Sequence, residues 1–432
     1  MPPYPMPRGC PWCPLLLLGG YKCQVKIGVA QELKHSGRRN SSLKQAVWCL
    51  VLASREGRRW KTCTERFNTR HLQASSGLPQ HHHNQEHVVH VLRDVFRVHL
   101  YPGVDGSEAA IHNVLGLLQI NQVPTKTAYA EVQALYPMAS LASQSCMPNT
   151  KPVFRDGQLT LKASDPIRRG EPITAIYTDI LWGTRARRDH LRQTRLLSCS
   201  CQRCADPTEL DTYFSALVCR RCGKLVLPPS PLDDLAPWSC LECSLQVSVE
   251  EVLGTNLALG AAVEVALAGP TIATLEALQE EWLTRVHTNH YHLHAVKHSL
   301  LQLYGRSKER ATEKEKDAAH WLEIAKKEKA CKEFLTVCSR LDPSTAQTIP
   351  FVGLTFYEYH KTILQNAQRY FGQNKLTTQQ LKKRMLLSKA LLKKAMEIFR
   401  HEAEDTPEGQ LYLTCEQEVI RIGKWMLAVG LV

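Results

Sequence analysis

Seven cysteines crowded between residues 199 and 243 constrain this chain more than any other feature. They run Cys199-x-Cys201-x2-Cys204, Cys219-x2-Cys222 and Cys240-x2-Cys243. Thiolates a tight turn apart can point at one ion, and four of them complete a tetrahedral zinc shell. Cys219 to Cys243 is a full set, with 17 residues between its two CxxC pairs, a spacing that reads as a zinc site. The Cys199 cluster offers three ligands and needs a fourth from elsewhere. An eighth cysteine, Cys146, lies upstream in Ser143-Gln144-Ser145-Cys146-Met147-Pro148-Asn149. By itself it reads equally as a small buried hydrophobe.

The 432 residues suffice for two or three domains with real cores. No apolar run approaches membrane-spanning length, so no membrane association is expected. The Leu15–Leu18 run is too short for a signal-peptide core and follows a Pro-rich stretch, which argues against secretion. The 16 cysteines, grouped as CxxC in a large unsecreted chain, then suit metal in a reducing compartment rather than disulfides. The net charge of +13 would suit an acidic partner or nucleic acid, but the basic residues are dispersed as solvated helix faces. The Cys219–Cys243 loop sets Asp233, Asp234 and Glu242 against Arg220, Arg221 and Lys224. A structural zinc is therefore expected there rather than a nucleic-acid-binding ribbon, and direct nucleic-acid binding is not expected.

Texture divides the chain. Residues 1–41 form an atypical leader in which Cys10, Cys13 and Cys23 find no convincing fourth ligand. From residue 42 the pattern is helical. Leu43, Val47, Leu50 and Val51 share one face, and Val88, Val91, Leu92, Val95 and Phe96 share another. Between them, His81, His82, His83, His87 and His90 read as an incidental surface cluster. From Val132 short strand-like runs appear, such as Leu159–Ala163 and Ile173–Tyr177. Asp156-Gly157 marks a tight hairpin, and Arg168-Arg169-Gly170-Glu171 a second turn. After Val249 the chain is helical to its end, with Leu386, Leu387, Ala390, Leu391, Ala395, Ile398 and Phe399 as a clear amphipathic example.

These residues resemble a known family. Ser145-Cys146-Met147-Pro148-Asn149 is similar to the second half of the Asn-His-Ser-Cys-x-Pro-Asn motif of SET-domain lysine methyltransferases. Gly170-Glu171-Pro172-Ile173-Thr174-Ala175-Ile176-Tyr177 resembles their Gly-Glu-Glu…Tyr motif. Arg187-Arg188-Asp189-x-Leu191 followed by CxCxxC looks like the post-SET segment of the SET-and-MYND (SMYD) branch, and the second cysteine set with His290–Leu300 looks like its arthropod-type members. Gly116–Asn121 resembles the segment leading into the catalytic core.

The resemblance implies an α+β fold: a partial SET-domain β core with a helical insert, a Cys-rich zinc-bound post-SET region and a C-terminal all-α, TPR-like domain. Its boundaries would be 42–131 for the insert, 132–198 for the SET core, 199–248 for the zinc region and 249–432 for the helices. It also supplies the missing ligand, since Cys146 would join Cys199, Cys201 and Cys204 on one zinc, beside a second zinc on Cys219, Cys222, Cys240 and Cys243. The implied activity is transfer of a methyl group from S-adenosylmethionine to a protein lysine, histone or other. Tyr177 stands where SET enzymes keep the tyrosine that orients the amine, although a core tyrosine at a strand end would look the same in sequence.

The chain also departs from the pattern. Ser143 and Gln144 occupy the Asn-His positions that touch the cofactor. Pro172 replaces the second Glu and removes a backbone donor. Leu196-Leu197 replaces an aromatic pair, and Arg195 stands where a channel tyrosine is common, a position from which a guanidinium would repel a lysine. Neither a Gly-rich SET loop nor a MYND finger is recognisable before residue 42, as expected if that part was lost or lies in a longer chain. The expectation is therefore weak cofactor binding and lost turnover. The alternative is a catalytically degenerate zinc-binding scaffold for protein partners in transcriptional regulation, monomeric, in nucleus and cytoplasm.

Overall fold

The computed structural model describes residues 46, 49–50, 88–95, 97–100, 103–126, 131–155, 158–306, 313–400, 402, 404 and 406–431. The leader with Cys10, Cys13 and Cys23, the histidines His81, His82, His83 and His87, residues Leu43, Val47, Val51 and Phe96, and the turn Asp156-Gly157 lie outside the described residues. The chain divides into two compact units. One is Met1–Tyr177 with Arg188–Cys199, the other Thr178–Arg187 with Ser200–Val432.

In the first unit α1 (Glu108–Asn121) begins where the Ser107 side chain accepts the Ala110 N–H, at 3.2 Å. Ile111, Val114, Leu115 and Leu118 pack with Leu50, Val88, Val89 and Leu92. Val88 and Leu92 thus occupy the apolar face expected of them, but Val95 is 64% exposed. Val91–Val95 is wound as a π-helix, whose i→i+5 bonding turns less per residue than an α-helix and carries Val95 off the face.

The strands that follow are short. β1 (Gln122–Lys126) and β2 (Glu131–Leu135) pair antiparallel. β3 (Ser143–Gln144) pairs in parallel with β6 (Thr174–Ala175). β4 (Thr150–Arg155) and β5 (Gln158–Ala163) form a hairpin in which Arg155 faces Gln158. The Arg168–Glu171 turn closes with Glu171 N–H donating to the Arg168 carbonyl at 3.1 Å, and Gly170 takes a φ of +91°. The strand expected over Ile173–Tyr177 is reduced to Thr174–Ala175, because side chains rather than a ladder hold this segment. Asn149 N–H donates to Thr174 Oγ1 and Thr174 N–H to Asn149 Oδ1, both at 2.8 Å, and Asn149 Nδ2 donates to the Pro172 carbonyl at 3.0 Å. The helix α2 (Thr184–Arg195) follows.

In the second unit a short helix, α3 (Gln202–Ala205), precedes four antiparallel strands in the order β10-β9-β8-β7. These are β7 (Leu217–Val218), β8 (Leu225–Leu227), β9 (Trp238–Cys240) and β10 (Gln246–Val247). Ser248 then caps α4 (Val249–Ala268), and Thr271 caps α5 (Ile272–Trp282). Val252, Leu259 and Val263 of α4 pack with Trp238, Cys240 and Val247 of the sheet, with Leu275 of α5, and with Leu293, Val296 and Leu300 of α6 (Tyr291–Leu303). By length and composition alone α4 is apolar enough to cross a membrane, with a mean hydropathy of 1.4, which corrects the expectation that no segment is. The sequence hides it because Glu250, Glu251 and Glu264 interrupt the apolar letters. Four longer helices complete the unit: α7 (Glu313–Leu341), α8 (Ile349–Gly372), α9 (Thr378–Phe399) and α10 (Pro407–Ala428). Leu381, Met385, Leu391, Leu392, Ala395 and Phe399 of α9 are buried, whereas Leu386 and Leu387 are 49% and 44% exposed.

A buried polar cluster lies at the start of the second unit. Glu209 Oε2 accepts from Arg187 Nη1 at 2.9 Å and from Arg203 Nη2 at 3.1 Å, and Oε1 accepts from Thr184 N–H at 3.1 Å and from the Ser215 hydroxyl. Burial by itself would raise the Glu209 carboxyl, but the two guanidinium charges and the Ser215 hydrogen bond outweigh it and bring the pKa down to about 2. The folded value lies below the ordinary 4.5. The stabilisation is therefore complete above pH 4.5 and is lost as pH falls through 2. A shift of that size corresponds to on the order of 3 kcal/mol. Glu209→Gln should flatten the acid limb of stability, read as the urea midpoint at a series of pH values. A variant with the same acid limb as the parent would show that this carboxylate does not carry the effect.

Candidate functional site

The SET-like motif residues lie around the parallel β3–β6 pair. Register sets Ser143 beside Thr174 and Gln144 beside Ala175. Tyr177 follows directly, and its N–H donates to Gln144 Oε1 at 2.8 Å. Gln144 Nε2 donates to Cys146 Sγ at 3.6 Å. The amide at the position where the resemblance expects a cofactor contact is thus engaged at both ends inside the protein, and Ser143 is exposed. The Tyr177 hydroxyl donates to the Ala142 carbonyl at 3.0 Å and lies 3.4 Å from the Ala139 carbonyl. Two carbonyl oxygens and a phenol oxygen therefore meet at one point.

Arg195 covers the tyrosine. Its guanidinium carbon lies 4.9 Å from the centre of the Tyr177 ring, a cation–π distance. It also donates to the carbonyls of Ile120 and Gln122. Desolvating a guanidinium requires such acceptors, and the end of α1 provides them. The sequence singles out Arg195 as a charge in the lysine channel, and in the structure that charge is buried and paired with backbone.

The cysteines form two groups of four, each with all four sulfurs within 4.8 Å of one another: Cys146, Cys199, Cys201 and Cys204, and Cys219, Cys222, Cys240 and Cys243. A tetrahedral zinc with Zn–S bonds of about 2.3 Å sets its sulfurs roughly 3.8 Å apart. The measured separations are 4.0 Å for Cys146–Cys199, 3.6 Å for Cys219–Cys243 and 3.5 Å for Cys222–Cys240. They fit a four-coordinate metal and are far longer than the disulfide bond of about 2.0 Å. Both groups could hold a zinc ion.

In the second group the backbone is built for this. Each CxxC turn is closed by a residue with left-handed φ directly after its second cysteine, Gly223 at +71° and Ser244 at +57°. Gly223 N–H donates to the Cys219 carbonyl at 2.8 Å, and Arg221 N–H points at Cys219 Sγ at 3.4 Å. In the other group Arg188 donates to the Cys199 carbonyl at 2.7 Å, and Arg187 Nη2 lies 3.8 Å from Cys204 Sγ.

Asn149 and Glu209 are the residues that sequence reasoning missed. Asn149 closes the Ser-Cys-x-Pro-Asn motif, and its partner Thr174 stands inside the Gly-Glu…Tyr motif, so the pairing of the two motifs was the available signal. No signal marked Glu209, whose partners lie 22 and 6 residues away.

Metal analysis of the purified chain should give about two zinc per molecule. Cys146→Ser should release one and spare the group at Cys219, whereas Cys240→Ser should release the other. Zinc content near zero in folded protein, or content unchanged by Cys146→Ser, would contradict the grouping.

No family model matches the sequence. Among curated proteins it is similar to SET domain-containing protein SmydA-8, isoform A, of Drosophila melanogaster, with 34% identity over 140 residues, 31% of this chain and 30% of that protein. It is 26% identical over 238 residues to histone-lysine N-methyltransferase ASHR1 of Arabidopsis thaliana, 52% of this chain and 46% of the relative. It is 41% identical over 70 residues to histone-lysine N-methyltransferase SMYD3 of Homo sapiens, 16% of each chain. In each case the match spans less than half of the relative's length. Over these segments the chain is similar to SET-and-MYND proteins, the Drosophila SmydA type among them.

Proposed function

We propose that this chain is a zinc-organised SET-and-MYND-type protein of the protein-lysine methyltransferase class that has lost turnover and serves as a scaffold for protein partners. One observation carries the reading. The Gln144 side chain spends its oxygen on the Tyr177 N–H and its nitrogen on Cys146 Sγ. These bonds hold the half-buried amide inward, with one N–H and one lone pair left over, and re-aiming it at S-adenosylmethionine would forfeit them. Arg195 over the Tyr177 ring adds a buried cation 4.9 Å from the ring centre, which opposes the approach of a cationic lysine side chain. The described residues therefore fit the cofactor poorly. Both cysteine groups act structurally as zinc sites, and the helices from α4 onward offer the protein-binding surface. Work as a monomer in transcriptional regulation, in nucleus and cytoplasm, belongs to the same reading.

Calorimetry with S-adenosylmethionine should show no binding at micromolar concentration. Gln144→His combined with Ser143→Asn should strengthen any residual signal. Micromolar or tighter affinity in the parent chain would overturn the reading.

A second reading, an active lysine methyltransferase, is favoured by the meeting of the Tyr177 hydroxyl with the Ala142 and Ala139 carbonyls. Such oxygens could orient an amine and a methyl group. The relatives named as methyltransferases also support it. In that case Tyr177→Phe should cost about 10²–10³ in rate, the typical loss of one transition-state contact, with little change in stability. Wild-type rates in a purified Tyr177→Phe sample would leave Tyr177 as a core tyrosine.

A further inference from the structure

Two guanidinium groups are buried at the start of the second unit against one carboxylate. Arg187 and Arg203 have fully buried side chains, and Glu209 is only 2% exposed. A buried guanidinium is tolerated where it is paired and hydrogen-bonded, and Glu209 meets both of these.

The hydrogen bonds of Arg187 fix the plane of its guanidinium. Nη1 donates to Glu209 Oε2 at 2.9 Å and to the Trp182 carbonyl. Nη2 donates to Thr184 Oγ1 at 2.9 Å and faces Cys204 Sγ at 3.8 Å. Arg203 turns the other way, to the carbonyls of Ile180 at 2.7 Å and Trp182 at 3.1 Å, besides Glu209. Arg187 is therefore fixed on one edge by Glu209 and offers its other edge to a sulfur of the Cys146, Cys199, Cys201 and Cys204 group. Four thiolates around a zinc ion carry a net charge of −2, which attracts a guanidinium placed beside them. N–H donors to zinc thiolates orient the ligand and disperse its charge, as outer-shell partners of metal ligands generally do.

We propose that Arg187, locked by Glu209 and Thr184, is a positioning residue for the Cys204 ligand and holds metal at that group selectively. The proposal rests on the reading that this group takes zinc. The planar fork matters, because it must bond a carboxylate and a sulfur at once. A lysine ammonium supplies the charge without that geometry.

The test uses the full chain loaded with zinc, challenged with a chelator and sampled over time by cysteine alkylation and mass spectrometry. Release is then read separately at Cys201 and Cys204 and at Cys219, Cys222, Cys240 and Cys243. Arg187→Met should speed alkylation of Cys201 and Cys204 by about 10–100-fold, the usual effect of removing an outer-shell partner. The second group should keep its parent rate. Arg187→Lys should recover part of the loss. Thr184→Val, which removes an acceptor without touching the charge balance, should give a smaller acceleration at the same two cysteines. It keeps the proposal testable if Arg187→Met does not fold. Parent-like release in folded Arg187→Met, or equal acceleration at both groups with Thr184→Val unchanged, overturns the proposal. A parent chain that alkylates at Cys204 at once, without chelator, overturns it together with the zinc reading, and is recognised by that behaviour in the unmutated protein.

Discussion

Strands of two and three residues do not hold a four-stranded sheet by their ladder bonds alone. β7 to β10 nevertheless carry much of the second unit, because Trp238, Cys240 and Val247 form one face of the core that α4, α5 and α6 complete. What substitutes for ladder length is the convergence of Cys219, Cys222, Cys240 and Cys243, which sit in the turns and at the strand ends. A metal bound by four ligands from two turns would close the sheet at one end, and such binding would be folding free energy. The helices beyond would inherit that dependence, since Ser248 caps α4 directly after β10.

The first unit solves a similar problem with a side-chain amide. Asn149 makes the bonds to Thr174 and Pro172 that a longer parallel ladder would otherwise provide. It thereby fixes the segment ending at Tyr177. Gln144 and Arg195 fill space around that tyrosine where the resemblance expects cofactor and substrate contacts. Both substitutions satisfy themselves locally, Gln144 on the Tyr177 N–H and Cys146, and Arg195 on the ends of α1 and β1. A site whose polar groups are already aimed at protein partners has less to offer a ligand, since re-aiming them forfeits bonds already made.

Local spacing explains what could be read ahead of the structure. The CxxC pairs, the hairpin around residues 156–157 and the alternation of Leu159–Ala163 are properties of neighbouring residues, and β4 and β5 pair as those properties require. Helical periodicity marked the buried face of α9, although Leu386 and Leu387 widened that face beyond what is buried. Val95 was misplaced because π winding changes the residue phase without leaving a mark in the letters. The apolar length of α4 was obscured by glutamates on its exposed side.

Two cysteine sets, a short-stranded core between helical stretches and a resemblance to SET-and-MYND proteins are legible in the letters alone, because each rests on chelating spacing, period or motif order. What the polar side chains do is fixed by the folded chain. Whether Gln144 faces a cofactor or the Tyr177 N–H, whether Arg195 lines a channel or caps carbonyls 73 and 75 residues away, and whether Glu209 is a surface acid or the anchor of two buried arginines are questions of burial. Desolvation obliges each of these groups to find a partner, and which partner lies within reach is set by the folded chain rather than by its neighbours in sequence.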